Sequence, residues 1–230
     1  WDFDNDGSID ATTGGGASTV FNTATTHQVK LTIVNNTACT TSAIIEVDVA
    51  ATCNPCSQNA NLVPNPSIEA FTACPNGLGQ VSFADGWFQP TEGTTDFFHA
   101  CANGGDADVP NNQLGTQTAA SGNGYLGFQA YGPFNYREYA SAQLNQTLVP
   151  GKTYCVNFKV SMGDNTRKAV DQIGAYFSES PIAVATQTAL NVVPQVSNTN
   201  GIISDKTNWI NIKGTFVATD AAQYITIGNF

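Results

Sequence analysis

The sequence predicts an all-β protein of sandwich type, on three observations. Apolar and polar residues alternate with period two through several short segments. Clusters of Gly, Asn, Asp and Pro separate those segments. No convincing amphipathic helix of three turns is present, the nearest being a short stretch over Ile182–Val192. Many short strands without helices argue for a sandwich or jelly roll.

In chain order, His27–Val34 places Val29, Leu31 and Ile33 on one face and Gln28, Lys30 and Thr32 on the other. Ala43–Val49 repeats the pattern, with Ile45, Val47 and Val49 facing in and Glu46 and Asp48 facing out. Asn35-Asn36-Thr37-Ala38 between them is turn-forming, so the two strands are expected to pair as a hairpin. A lone hairpin is marginal in water, so this one needs a partner layer. Residues from about Ala51 to Ala60 have linker composition. The clearest later strands are Tyr125–Gln129, Ala142–Leu148, Tyr154–Ser161, Ile173–Ser178, Trp209–Val217 and Gln223–Phe230, with a long polar loop over Asn103–Gly124.

Composition narrows the functional classes. Charged residues make up only 11% of the 230 residues, against roughly 25% in average globular proteins. The polar surface must therefore come from Thr, Asn, Gln, Ser and Gly, as in many extracellular β-proteins. Eight basic against 18 acidic residues give a net charge of −10. That sign disfavours nucleic acid, which needs a basic stripe, and docking on anionic lipid. It suits Ca²⁺ or a neutral ligand such as a glycan. No apolar run approaches the roughly 18–20 residues of a membrane helix, and no signal peptide is present. The chain opens on Trp1 without an initiator Met, and a processed or truncated piece is expected.

The six cysteines are Cys39, Cys53, Cys56, Cys74, Cys101 and Cys155. One CxxC (Cys53, Cys56) and two His make a poor zinc set, so disulfides in an oxidising compartment are the better reading, with reduced thiols the alternative. A Cys74–Cys101 bridge is expected, because both residues flank a loop-rich stretch that few strands hold. A Cys53–Cys56 bridge is a weaker expectation, and Cys39 and Cys155 are left unassigned.

Trp1-Asp2-Phe3-Asp4-Asn5-Asp6-Gly7 resembles the WDFGDG-type signature of the PKD module, an immunoglobulin-like sandwich, and His27–Val49 resembles that module's last two strands. The resemblance covers roughly residues 1–50, without the strands that normally precede the Trp. It implies an N-terminally incomplete module, followed by a linker over 51–60. Residues 61–230 resemble the galactose-binding-like jelly rolls of Bacteroidetes cell-surface, gliding-motility and type 9 secretion cargo proteins. The residues that carry this are Asn61–Glu69 (NLVPNPSIE), Gly86–Phe98, Gly122–Tyr131, Asn135–Leu144, Gly151–Ser178 and Tyr224–Phe230. A further strand bearing paired acids usually follows in that family, so truncation is expected at this end too. The resemblance implies an extracellular or outer-membrane-associated location, with secretion machinery among the partners.

Asp2, Asp4, Asp6 and Asp10 fall at positions 1, 3, 5 and 9 of a Ca²⁺-loop spacing, with Gly7 at position 6. Thr13 stands where an EF-hand has its bidentate Glu, and no helix follows. Two readings stand open: a Ca²⁺ site, and an acidic turn whose aspartates bond the backbone. By the jelly-roll resemblance Glu69 is a structural Ca²⁺ ligand, and by the plain reading an ordinary strand-end acid. Tyr131, Phe134, Tyr136 and Arg137 lie in AYGPFNYREY, where Gly132 and Pro133 interrupt the strand pattern. Aromatic faces beside polar groups suit sugar rings, so these four form the expected ligand edge. Trp87 and Tyr125 read as core, and His27 and His99 as structural. No GxSxG or HExxH is present, and Glu92 with Asp96, or Glu69 with Glu138, are the only acid pairs considered for glycoside chemistry. The expected function is a non-enzymatic surface adhesin or binding module. The alternatives are a structural spacer in a surface filament and an accessory module of a polysaccharide-degrading enzyme.

Overall fold

The structure, a computed structural model, describes residues 1–12, 16–21, 25–34, 40–48 and 61–230. The expected turn at 35–38, Val49, the linker 51–60, Thr13 and the cysteines Cys39, Cys53 and Cys56 lie outside the described residues. Contacts divide the chain into two compact units, Trp1–Ser57 and Gln58–Phe230. Thirteen strands and three single 3-10 turns account for the regular structure of the described residues. The protein is an all-β, antiparallel sandwich.

In the first unit β1 (Thr26–Val34) and β2 (Thr40–Asp48) pair antiparallel, with Val29 opposite Ile45 and Leu31 opposite Ala43. The backbone of Asp2 bridges to Lys30, each N–H donating to the other's carbonyl at 2.8–2.9 Å. Val29 is buried, but Ile33, Val34, Ile44 and Ile45 are exposed. The expected inward face at Ile45 is therefore open, because no second sheet covers it among the described residues.

The second unit contains β3 (Trp87–Phe88), β4 (Asp96–His99), β5 (Asn111–Asn112), β6 (Gly115–Thr116) and β7 (Gly124–Gly127). β8 (Tyr139–Gln143), β9 (Thr153–Val160), β10 (Ile173–Ser178), β11 (Val196–Ser197), β12 (Ile210–Val217) and β13 (Tyr224–Asn229) complete it. One layer is a five-stranded sheet in the order β11-β10-β13-β8-β3, and the other is built from the β9–β12 and β4–β7 pairs. Trp87, Ala142, Phe177 and Ile225 from the first layer meet Phe97 and Val156 from the second in one core. The alternation Tyr154, Val156, Phe158 on β9 supplies that contact. Burying such side chains contributes about 1.5–3 kcal/mol each.

Three expectations change. The strand expected over Ala142–Leu148 lies over Tyr139–Gln143, since Asn145 leaves the ladder and its N–H bonds the Leu62 carbonyl instead. Ile182–Val192 forms no helix; its backbone is bound outward, Glu92 N–H donating to Thr186 and Arg137 N–H to Gln187. The polar stretch Asn103–Gly124 contains the β5–β6 pair rather than loop alone.

Cys74 and Cys101 are disulfide-bonded, with Cα atoms 5.6 Å apart across 27 residues. The bridge fastens a stretch that has only β3, β4 and two 3-10 turns. Loop closure of this size contributes about 3.5 kcal/mol. The double variant Cys74→Ser/Cys101→Ser is expected to melt about 10 °C lower in scanning calorimetry, and an unchanged melting temperature would show that the strands alone hold this stretch.

Candidate functional site

The aromatic loop is closed by its own backbone. Gln129 N–H donates to Glu138 Oε2 at 2.6 Å, Glu138 N–H returns to the Gln129 carbonyl, and Gly132 N–H donates to the Tyr136 carbonyl at 2.9 Å. At the tip, Phe134 (φ 56°) and Asn135 (φ 63°) both take the left-handed conformation. Asn tolerates this; for Phe it costs about 1 kcal/mol or more. The result is a Phe134 side chain 98% exposed.

The four residues of the expected ligand edge are contiguous but do not share one surface. Tyr131 is exposed, and its ring lies 4.4 Å from the Arg137 guanidinium carbon and 4.5 Å from Lys168 Nζ. Arg137 is buried; its Nε donates to Asn229 Oδ1 at 3.2 Å and its Nη1 to the Tyr136 carbonyl. Burial lowers its pKa, against the neighbouring tyrosines. Tyr136 turns the other way, its hydroxyl donating to Glu138 Oε1 at 2.8 Å beside Thr94. Desolvation raises the Tyr136 pKa.

Tyr131 is one wall of a groove of about 510 Å³, a volume typical of ligand sites. The groove runs between the segment after β7 and the loop that follows β9, with Ile173 and Ile203 below and Tyr125 and Trp209 at one side. Tyr125, expected in the core, is half-buried and packs edge-on against Trp209 at 5.5 Å. Its hydroxyl accepts from Asn112 Nδ2 at 2.7 Å. The loop after β9 is fastened by Lys206, whose Nζ donates to the Asp164 and Thr166 carbonyls, and by Asp164, whose carboxylate accepts from Thr116 N–H. Sequence reasoning missed Trp209, Lys168 and this loop. The signal was there: the single Met, two Gly-Asp turn residues and a basic pair directly follow a strong strand in SMGDNTRKA.

The acidic positions are bound from within. Asp2 accepts from Asp6 and Gly7 N–H, Asp4 from Asp6, Asp6 from Ser8 and Asp10 from Phe3. These are the bonds of the acidic-turn reading. At the same time, carboxylate oxygens of Asp2, Asp4 and Asp10 lie within 4.8 Å of one another, while Asp6 stands outside that group. Glu69 accepts from Asn123 N–H at 2.6 Å, from Asn123 Nδ2 at 3.0 Å and from Gly124 N–H at 3.1 Å. Desolvation opposes these bonds, but together they hold its pKa below the usual carboxylate range. With both oxygens so engaged, Glu69 acts as a clamp between segments 54 residues apart. Gly122 (φ +66°) is required beside it, since a Cβ there would collide with the Glu69 carboxylate. His99 accepts from Cys101 N–H at Nδ1; its Nε2 is buried, 3.9 Å from Glu69 Oε2, with no hydrogen-bond partner among the described residues.

Glu69 and Glu138, one of the two acid pairs of the sequence, share no hydrogen-bond partner. Glu138 is bound by Thr94, Gln129 and Tyr136, away from Glu69, and neither lines the groove. Instead Asp96 is buried with the Glu138 charge nearby, its Oδ1 accepting from Gly79 N–H at 2.7 Å. No protein-family model matches the chain, and no curated protein matches it.

Burial pushes the Asp96 carboxyl up to about 7, against the Gly79 hydrogen bond and with the help of Glu138. The folded state thus holds a proton that the unfolded chain releases near pH 4. Stability is therefore expected to fall as pH rises from about 4 to 7, by on the order of 3 kcal/mol. Glu69 and Asp205, with lowered pKa values, act in the opposite sense and only at more acid pH. Urea melts across pH 4–8 check this: the slope should flatten in Asp96→Asn, and an equal slope in the variant would place its origin elsewhere.

Proposed function

We propose that the second unit is a non-enzymatic, extracellular binding module whose groove takes a glycan. The observation that carries this reading is an open concave site of ligand size bordered by Tyr131, Tyr125 and Trp209. Aromatic rings offer flat apolar faces to the C–H patches of a sugar, and the polar groups beside them orient its hydroxyls. The charged side chains of the lining are cations and one carboxylate that is committed to Thr116 N–H. These are binding groups rather than an acid–base pair. The Cys74–Cys101 bridge and the sparse charge of the surface support an oxidising, extracellular setting. The resemblance to PKD and galactose-binding-like modules supports a place on the cell surface. A spacer role is the rival reading, and an exposed aromatic groove is what it leaves without a purpose.

The test is a glycan array followed by titration calorimetry with any polysaccharide retained. Tyr131→Ala is expected to weaken binding at least tenfold with an unchanged melting temperature, and Trp209→Phe to weaken it less. Binding indifferent to Tyr131→Ala would reject this location.

We further propose that Asp2, Asp4 and Asp10 hold Ca²⁺ in the first unit. The reading starts from the Ca²⁺-loop spacing of these residues, whose carboxylate oxygens lie within 4.8 Å of one another, near enough to share one hard dication. Glu69 is not part of this group of carboxylates. Addition of Ca²⁺ is expected to change Trp1 fluorescence saturably, with the response lost in Asp4→Asn/Asp10→Asn. A flat titration of the parent protein would leave the acidic turn as the whole account.

A further inference from the structure

The groove reverses the sign of the molecule. The chain has 18 acidic and eight basic residues, yet Lys159, Arg167, Lys168 and Lys206 line the groove against one acidic side chain, Asp164. Half of all the basic residues therefore stand in one site of an acidic protein. A fifth, Arg137, borders the same wall from a shallower depression on the other side of Tyr131 and Lys168, where Asp171 also sits. None of these five cations has a carboxylate within 4.0 Å among the described residues, where the one close pair is His99–Glu69. Lys206 is occupied by two carbonyls, and Asp164 is bound to Thr116 N–H. Arg167, Lys168 and Lys159 are exposed and Arg137 Nη2 makes no hydrogen bond among the described residues.

The arrangement at Tyr131 sharpens the point. Two cations sit within 4.5 Å of one ring centroid. Each gains about 0.5–2 kcal/mol from the aromatic face, but like charges held on one ring also repel. A buried guanidinium without a counter-ion is an unusual arrangement, because charged groups away from water are normally paired. An anion entering at Lys168 beside Tyr131 offsets that repulsion, while Arg137, with Nε and Nη1 already bonded to Asn229 and Tyr136, backs the ring from the neighbouring depression.

We infer that the groove selects an acidic polysaccharide of uronic-acid type, with a ring carboxylate received by Lys168 and Arg167 of the lining and the sugar ring beside Tyr131. This rests on the reading of the groove as a glycan site and adds its charge. Composition alone pointed to neutral glycans or Ca²⁺, because a net charge averages over the whole surface and this site departs from the average.

The experiment compares four polymers by calorimetry on the full chain at 0.15 M salt: polygalacturonate, its fully methyl-esterified form, dextran sulfate and poly-glutamate. Polygalacturonate is expected to bind, and esterification to weaken it at least tenfold. The exposed variants Lys168→Gln and Arg167→Gln should each weaken polygalacturonate about threefold to tenfold at unchanged melting temperature. Equal binding of acid and ester would overturn the charge selection while leaving a glycan groove standing. Retention of no saccharide, neutral or acidic, would instead overturn the glycan groove itself. Stronger binding of dextran sulfate would overturn the carboxylate in favour of a sulfate, and equal binding of poly-glutamate would overturn the sugar. Polygalacturonate binding untouched by both lysine and arginine variants would place the anion elsewhere on the protein.

Discussion

The seating of Tyr139 against Gly228 is the contact from which the site is hung. Tyr139 opens β8 and is fully buried, directly opposite Gly228 of β13. Any Cβ at Gly228 would lie inside the Tyr139 ring. The ring's hydroxyl donates to the Asn229 carbonyl at 2.8 Å and accepts from Leu190 N–H at 3.0 Å, and the Thr95 hydroxyl bonds its carbonyl. One residue thereby ties β8, β13, the residue that precedes β4 and the segment after β10. Arg137 lies two residues upstream of Tyr139 and reaches Asn229, next to Gly228, so the guanidinium is placed by the same register. Tyr131 and its loop follow from Arg137. A one-residue slip of β8 would invert its faces and dismantle both the core and the groove wall.

With few charges available, the chain uses them in an uneven way. Its carboxylates are largely turned onto backbone N–H groups: Glu69 on Asn123 and Gly124, Asp96 on Gly79, Glu138 on Thr94 and Gln129, Asp164 on Thr116, Asp205 on Thr207 and Asn208. Glu69, Glu138, Asp164 and Asp205 in this way tie down loops through charge-assisted bonds, whereas Asp96, its carboxyl pushed up to about 7 by burial, bonds Gly79 without that gain. Acids thus serve where a longer helix or strand serves in other folds. Because they are bound to backbone, they do not pair with the cations, and the cations are left to gather at the groove.

The parts of the fold legible in the sequence are those that repeat a period. β1, β2, β9, β10, β12 and β13 are long enough to stand out, and on β9 and β12 the alternation also gives the faces, whereas β10 and β13 are buried on both sides and the expected inner face of β2 is exposed. β3, β4 and β11 have two to four residues each and no period to detect; they exist because long-range partners hold them. β8 was placed too late because Ala140, Ser141 and Ala142 are small on both faces, which a central strand buried on both sides allows. At the site, the turn in AYGPFNYREY is readable from Gly132 and Pro133. That Tyr136 turns away, and that Lys168 and Trp209 approach from 37 and 78 positions downstream of Tyr131, depends on tertiary contacts that no local pattern carries.

The opposed signs of the groove and of the whole molecule act over different distances. The net charge of −10 acts at long range and is felt only to about a Debye length, roughly 8 Å in physiological salt and about 30 Å at 0.01 M. The groove cations act at contact, where screening is weaker. On the proposed reading, an anionic polymer approaching in dilute buffer meets repulsion first and attraction last, so encounter is slowed by the net charge. Added salt removes the outer barrier before it weakens the inner contacts. Capture is then fastest at intermediate ionic strength, the inverse of the steering that operates when a protein and its site carry the same sign.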